Sequence, residues 1–237
     1  MSFFKKNIES SKRAKKDIFE IASIKNQIRT QPCFLVGSGP SLMECDLKAV
    51  EDSGFPIFCI NNSFSKIAPD IWLGIDGVKN FHPSIFSSPC IKLTQWPLRY
   101  EEVNGTQLCD LDNFYFFNTA EEDDHSFAGS NITFHFEGNT FSTAIHILNH
   151  IGFEKICLIG CDFTHGKGLR YNPKSRKKSK FETWNNACTD YLDVALDFLK
   201  FSSEKGKSKY ISCGSKSRAN DFLPYMTTQE AIAKYQS

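Results

Sequence analysis

The chain has 237 residues, of which 41% are hydrophobic, and this is enough to bury the core of one large domain. Its formal net charge of +1 excludes an overall field that would attract nucleic acid or an anionic membrane. No apolar run is long enough to cross a bilayer and the nine cysteines form no CxxC pair, so we expect a cytoplasmic protein with reduced thiols.

The first 30 residues form a basic segment in which isoleucines recur at helical spacing. We predict an amphipathic helical arm at residues 1–30, followed by one domain at residues 31–237. In this interpretation the arm serves packing or formation of a homo-oligomer. Binding of nucleic acid or of a membrane surface is less favoured, because most charged helix faces are simply solvated.

Short apolar runs alternate with helical segments after the arm, which is typical of an α/β fold. The predicted strands are apolar throughout, so both faces of their sheet should be covered and the strands should be mostly parallel. We therefore expect a Rossmann-like α/β sheet with helices on both faces. The predicted strands are residues 34–36, 57–60, 71–75, 90–93, 114–117, 155–159 and 210–213, and the predicted helices are residues 42–53, 78–86, 140–151 and 184–201.

A glycine-rich turn follows the first predicted strand and is the clearest sign of a ligand site. Gly37 and Gly39 can take positive φ and let backbone N–H groups approach an anion, while Pro40 suits the first helical turn. Ser38 and Ser41 add hydroxyl groups. The turn is neither a GxGxxG fingerprint nor a Walker loop, so a plain strand-to-helix turn is the alternative interpretation.

Polar side chains follow three other predicted strands, at the edge where parallel α/β sheets bind ligands. Asn61 and Asn62 can hydrogen-bond a base or a ribose, although Asn is also a common turn residue. Asp76 suits ribose binding, Mg²⁺ binding or general-base catalysis, or else caps the next helix. Asp162 lies beyond the last of the three strands, and His165 near it can transfer a proton close to neutral pH.

Two further segments complete the predicted site. The helix at residues 140–151 opens with Asn139, Thr140 and Ser142, whose polar groups either cap the helix or present its N terminus to an anion. The stretch at residues 165–182 is rich in lysine and arginine and is predicted to be a mobile loop that closes over phosphates. Solvated, charged surface is its alternative interpretation.

Three motifs together resemble the MptE-like and motility-accessory-factor Rossmann proteins, and more distantly the bacterial CMP-sialic-acid-dependent sialyltransferases: VGSGPSL, PDxxxxxD ending at Asp76, and KICLIGCDFT. The sialyltransferase likeness implies a CMP-sugar pocket at Gly37–Ser41, Asn62 and Asn139–Ser142. The chain departs from that group in having Ser38 for Asn and Thr164 for Tyr, and residues 185–188 lack the group's catalytic His. The MptE-like branch instead implies an Mg-ATP-dependent pyrophosphokinase in which Asp76 or Asp162 holds the metal.

The interpretation favoured by the sequence is a glycosyltransferase-like enzyme that uses a CMP- or NDP-sugar and a hydroxyl acceptor. The glycine-rich turn and the basic loop would stabilise the departing phosphate, Asn62 and Thr140 would orient the nucleoside, and Asp76 or His165 would take the acceptor proton. This reaction needs no bound metal. The alternatives are the Mg²⁺-dependent pyrophosphokinase and a non-enzymatic Rossmann module that binds a nucleotide or nucleic acid.

Overall fold

The structure is a computed structural model, and it describes residues 32–120, 133–135, 139–164 and 181–236. The predicted arm at residues 1–30, His165 and nearly all of the basic loop lie outside these ranges. Within them, no helix combines the length and the apolar character that a membrane span requires.

One eight-stranded sheet organises the described chain, and two short strands form a separate hairpin. The sheet consists of β1 (Pro32–Val36), β2 (Ile57–Ile60), β3 (Ile71–Leu73), β4 (Ile91–Gln95), β7 (Phe114–Ala120), β8 (Thr133–His135), β9 (Lys155–Ile159) and β10 (Lys209–Ser212), and the hairpin of β5 (Glu102–Val103) and β6 (Thr106–Gln107). The strand order is β10-β9-β1-β2-β3-β4-β7-β8, with every neighbouring pair parallel. The predicted Rossmann-like sheet is therefore confirmed. Its order reverses at β1, between β2 and β9, and such reversal points are where ligands bind in these folds.

The described ranges contain four α-helices and several 3₁₀ helices, which lie between the strands or after the last one. The α-helices are α1 (Leu47–Asp52), α2 (Thr140–Ile151), α3 (Phe181–Lys205) and α4 (Thr228–Gln236). Helix α2 has the predicted bounds, because Asn139 caps its first turn and Gly152 ends it at φ 100°. The prediction of one helix at residues 78–86 is wrong. Two 3₁₀ turns, Val78–Asn80 and Pro83–Ile85, stand there, since Pro83 lacks an N–H and disfavours a helical conformation of the residue before it.

Alternate residues of the central strands bury their side chains on opposite faces of the sheet. Cys33 and Leu35 of β1 pack in one core with α2 and α3, while Phe34 and Val36 pack in the other with α1 and α4. This explains why the strands are apolar throughout. Because both faces are covered, a ligand can reach the sheet at the ends of its strands. The carboxyl ends of the strands form the edge of the sheet that carries the predicted site.

Candidate functional site

The carboxyl ends of four adjacent strands place the predicted residues along one edge of the sheet. The segments that follow β9, β1, β2 and β3 lie side by side, since these strands are consecutive neighbours. They contain Asp162, the glycine-rich turn Gly37–Ser41, the pair Asn61 and Asn62, and Asp76. The Ser63 hydroxyl also donates to the Val36 carbonyl at 2.8 Å, which holds the segment after β2 against the end of β1. The expected convergence is therefore present at the level of this edge.

The glycine-rich turn packs tightly against the segment after β9. The Gly37 N–H donates to the Ile159 carbonyl at 2.8 Å, and the Gly39 N–H donates to the Gly160 carbonyl at 2.7 Å. A Cβ atom on Gly37 would lie 2.5 Å from the Gly160 oxygen. Gly39 has φ −69°, and neither turn glycine is among the glycines with positive φ, so the turn does not use that conformational freedom. The glycines are needed because two backbones approach closely, and not because the turn is left-handed.

The buried carboxylate of Asp162 closes this turn from within. It accepts the Ser41 N–H at 2.8 Å and also accepts the Ser41 hydroxyl, across 121 residues of sequence. The carboxylate thus takes the position at the start of the 3₁₀ helix Pro40–Glu44 that an external anion would otherwise occupy. Among the turn residues, the N–H of Ser38 has no protein acceptor within the described ranges. Ser38 is therefore the turn residue whose N–H remains available as a donor among the described residues.

Asn61 and Asn62 face opposite sides of the sheet. Asn61 takes a left-handed φ of 53°, and its carbonyl accepts the Trp72 indole N–H at 2.7 Å. Its side-chain oxygen accepts the Thr140 hydroxyl at 3.2 Å, which joins the end of β2 to the start of α2. The buried Asn62 amide instead binds the Asn80 carbonyl and the His82 N–H, at 3.2 and 3.1 Å. The nucleoside-orienting role predicted for Asn62 therefore fits Asn61 better.

The N terminus of α2 offers unsatisfied backbone donors at this edge. The Asn139 side chain accepts the Ser142 N–H at 2.8 Å, while the N–H groups of Thr140 and Phe141, in the first turn, lack intrahelical acceptors. The Ser142 hydroxyl is fully buried and has no partner in the described part of the chain. This helix start therefore has the character of an anion site, with Asn61 beside it.

Asp76 is separated from Asp162 by the width of two intervening strands. Three inter-strand steps correspond to about 14 Å, and the Asp162 carboxylate already binds Ser41, so the two carboxylates do not share one metal ion. Asp76 is exposed and caps no helix, because Gly77 holds the N-cap position. Although Asp76 is exposed, nearby protein atoms partly desolvate its carboxyl and raise its pKa. Within the described ranges, no group of three or more His, Cys, Asp or Glu side chains could hold a metal.

Phe163 is a site residue that sequence reasoning missed. It takes a left-handed φ of 53°, which is a genuine outlier for an aromatic residue. Its ring meets the Phe141 ring edge-on at 4.9 Å, and its carbonyl accepts a hydrogen bond from Arg218 at 3.1 Å. The segment after β9 is thereby fixed beneath the start of α2. No local motif in the sequence marks Phe163 as left-handed or pairs it with Arg218.

Comparison with known protein families assigns this chain to one of them. A family model described as 6-hydroxymethylpterin diphosphokinase MptE-like matches residues 4–168, which is more than half of the sequence. The chain belongs to the MptE-like family. A search of curated proteins finds no match.

Solved sialyltransferase structures share the fold of this MptE-like protein. CstII from Campylobacter jejuni in complex with the substrate analogue CMP-3FNeuAc has a TM-score of 0.53 at 15% identity, covering 84% of this chain and 88% of that chain. CstII in complex with cytidine-5'-monophosphate has a TM-score of 0.50 at 15% identity, covering 83% and 85%. A complex with a trisaccharide acceptor and CMP has a TM-score of 0.50 at 14% identity, covering 84% and 88%. Both resemblances predicted from the motifs are thus confirmed.

In this MptE-like protein the predicted site residues separate into three groups. Asn61, Asn139, Thr140 and Ser142 meet at the start of α2, while Asp76 stands free farther along the same edge. Asn62, Asp162, Gly37, Gly39 and Ser41 make hydrogen bonds within the protein's own loops, Pro40 begins the 3₁₀ helix, and the half-buried Ser38 keeps an N–H with no acceptor in the described ranges. His165 lies outside the described residues.

Proposed function

We propose that this MptE-like protein is a glycosyltransferase-like enzyme that binds a nucleotide-linked sugar at the carboxyl edge of its sheet and transfers the sugar to a hydroxyl acceptor. The observation that carries the proposal is the hydrogen bond between Asn61 and Thr140, because it sets the first N–H groups of α2 beside the Asn61 amide at the end of β2. The solved CMP complexes of proteins with the same fold support a nucleotide donor.

The donor's phosphate would bind at the start of α2. The N–H groups of Thr140 and Phe141, together with Ser38, donate to its oxygens, and the helix dipole stabilises the negative charge that grows as the phosphate departs. The Asn61 amide nitrogen has no acceptor within the described ranges, so it is available to the base or the ribose.

The transfer step needs one base. The acceptor hydroxyl oxygen attacks the anomeric carbon of the sugar, the bond from that carbon to the phosphate oxygen breaks, and its electron pair leaves with the nucleotide. The hydroxyl proton passes to the Asp76 carboxylate, or to His165 as the other predicted base. The raised pKa of Asp76 makes its carboxylate a stronger base than an ordinary aspartate.

A thermal-shift screen followed by a turnover assay tests this function. The screen uses CMP, UDP, GDP, ATP and their sugar conjugates, with and without Mg²⁺. A cognate nucleotide at about 100 times its Kd should raise the free energy of unfolding by about 2.7 kcal/mol, which corresponds to about 5–10 °C in Tm. Asp76→Asn should keep this shift and lose about 10²-fold or more in turnover of the labelled nucleotide sugar. The matched control is Asp52→Asn, an exposed carboxylate on α1. Absence of any nucleotide shift, or full turnover by both Asp76→Asn and His165→Asn, contradicts the proposal.

The second candidate is diphosphate transfer from Mg-ATP, which the description of the matching family model favours. In that reaction the oxygen of the substrate hydroxyl attacks the β-phosphorus of ATP. The bond between that phosphorus and the oxygen shared with the α-phosphate breaks, and AMP leaves with the electron pair. Mg²⁺, when bound, neutralises phosphate charge, and Asp76 is the free carboxylate here that would hold it together with the phosphates. AMP release from ATP that depends strictly on Mg²⁺ identifies this reaction, whereas metal-free release of a nucleotide from a nucleotide sugar excludes it.

A further inference from the structure

An exposed stack of two aromatic rings and an arginine follows β4. It belongs to the 3₁₀ helix Trp96–Tyr100, in which the Trp96 side chain is 42% exposed and the Tyr100 side chain is 59% exposed. The Arg99 guanidinium carbon lies 4.5 Å from the Trp96 ring centroid and 4.2 Å from the Tyr100 ring centroid. Arg99 also donates to the Trp96 carbonyl at 2.8 Å. The Trp96–Arg99–Tyr100 stack is therefore ordered, although it lies on the surface.

The stack and Asp76 follow neighbouring strands of the sheet. Strand β4 is the neighbour of β3, so the segments after these strands share the carboxyl edge. Glu101, the residue after Tyr100, accepts the Val78 N–H at 2.7 Å, and its carboxylate lies 3.1 Å from where a Cβ on Gly77 would be. Glu101 thus ties the stack directly to the loop that carries Asp76.

The chemistry of the stack suits one kind of ligand. Arg99 covers one face of each ring, so a sugar ring would pack its apolar face against the aromatic surface that Arg99 leaves uncovered. Trp, Tyr and Arg are the residues most enriched at binding hot spots. Arg99 has no ion-pair partner within the described ranges, and its planar guanidinium matches a carboxylate. Nothing in the proposed donor site uses these three side chains.

We propose that the Trp96–Arg99–Tyr100 stack is the acceptor subsite and that it takes a saccharide ring carrying a carboxylate. The inference rests on the proposed function, because Asp76 is the base that would receive the proton of this acceptor. The aromatic rings hold the sugar, Arg99 pairs with its carboxylate, and a ring hydroxyl is presented to Asp76.

Matched pairs of sugars test the subsite without any donor. Saturation-transfer NMR compares glucuronic acid with glucose and galacturonic acid with galactose, each pair differing in the carboxylate at one carbon. We expect both acids to bind about tenfold more tightly than their neutral partners, Arg99→Gln to remove that difference, and Arg99→Lys to keep part of it. Tyr100→Ala should weaken binding of acid and neutral sugar alike. The control is Tyr225→Ala, which changes another exposed tyrosine, beside β10 at the far side of the sheet.

The outcomes separate this inference from the proposed function. Equal binding of acidic and neutral sugars, or unchanged binding by both Arg99→Gln and Tyr100→Ala, overturns the acidic acceptor subsite even where nucleotides still raise Tm. If the acidic sugars bind selectively through Arg99 but no nucleotide raises Tm, the inference of an acidic-sugar subsite stands. The proposed glycosyltransferase function is then overturned. Tyr100 is exposed and Arg99 is half-buried, so a wild-type Tm of each variant is the check that folding does not obscure these results.

Discussion

Removing the Asp162 carboxylate should destabilise the whole protein, because that carboxylate is the internal anion that closes the glycine-rich turn. Asp162 is only 5% exposed and accepts two hydrogen bonds from Ser41, one from the backbone and one from the hydroxyl. In Asp162→Ala both bonds are lost and the Ser41 N–H has no replacement acceptor.

The expected loss of stability can be worked out from the two hydrogen bonds, because each hydrogen bond to a charged group contributes about 1.5–3 kcal/mol. Loss of two predicts a decrease of about 4 kcal/mol in the free energy of unfolding for Asp162→Ala. For a chain of this length that decrease is about 8–16 °C in Tm. Asp162→Asn keeps one acceptor for the Ser41 N–H and loses the charge, so about 1–2 kcal/mol is expected.

Urea and thermal unfolding of the two variants, followed by circular dichroism, measure these differences. Asp52→Ala serves as the control, since its carboxylate pairs with Lys48 on the surface and should contribute about 0.5 kcal/mol or less. A wild-type Tm in Asp162→Ala, combined with loss of an Mg²⁺-dependent activity, would refute the reasoning. Asp162 would then be a metal ligand and not the cap of the turn.

Two further predictions concern other strand ends. Asn61→Gly should weaken nucleotide binding about tenfold with little change in Tm, because Gly accepts the left-handed φ but removes the side-chain amide. Asn61→Val should weaken binding and also lower the free energy of unfolding by about 2 kcal/mol, because Val does not accept this φ. Equal Tm values for the two variants contradict this prediction. Burial lowers the pKa of Lys92, so the folded chain releases this proton at a lower pH than the unfolded chain, and this side chain contributes stability that increases with pH up to about 10.4. Burial raises the pKa of several thiols, such as Cys33 and Cys90, and these groups act in the opposite direction. The stability of the wild type relative to Lys92→Met should therefore increase between about pH 8 and about pH 10 in urea titrations, and an equal difference at both pH values would argue against it.

The sequence predicted the elements whose signals are local. Helix α2 has both end signals in its own sequence, the Asn139 cap and Gly152, and its bounds were confirmed. The apolar runs of the central strands likewise predicted a sheet covered on both faces. Helix α4 was not predicted, because it is short and mostly polar, and only Ala231 and Ile232 of its apolar side chains are buried against the rest of the protein.

The candidate site was harder to predict, because its details depend on contacts between distant residues. The choice between Asn61 and Asn62 depends on the left-handed φ of Asn61, which Trp72 helps to fix from the next strand. The motif around the glycine-rich turn likewise gave no sign that Asp162 would satisfy it from within. Local patterns located the correct edge of the sheet, and tertiary contacts determined which side chains on that edge face outward.

The position of β1 in the sheet has a consequence for how the protein is made on the ribosome. Strand β1 can pair with β2 soon after both have been synthesised, but its other side pairs with β9, which is translated much later. Until then, a fully apolar strand presents an open edge in the nascent chain, and such edges attract chaperones or other copies of the chain. Ribosomes that stall before β9 would therefore release products prone to aggregation, with the turn after β1 still unformed.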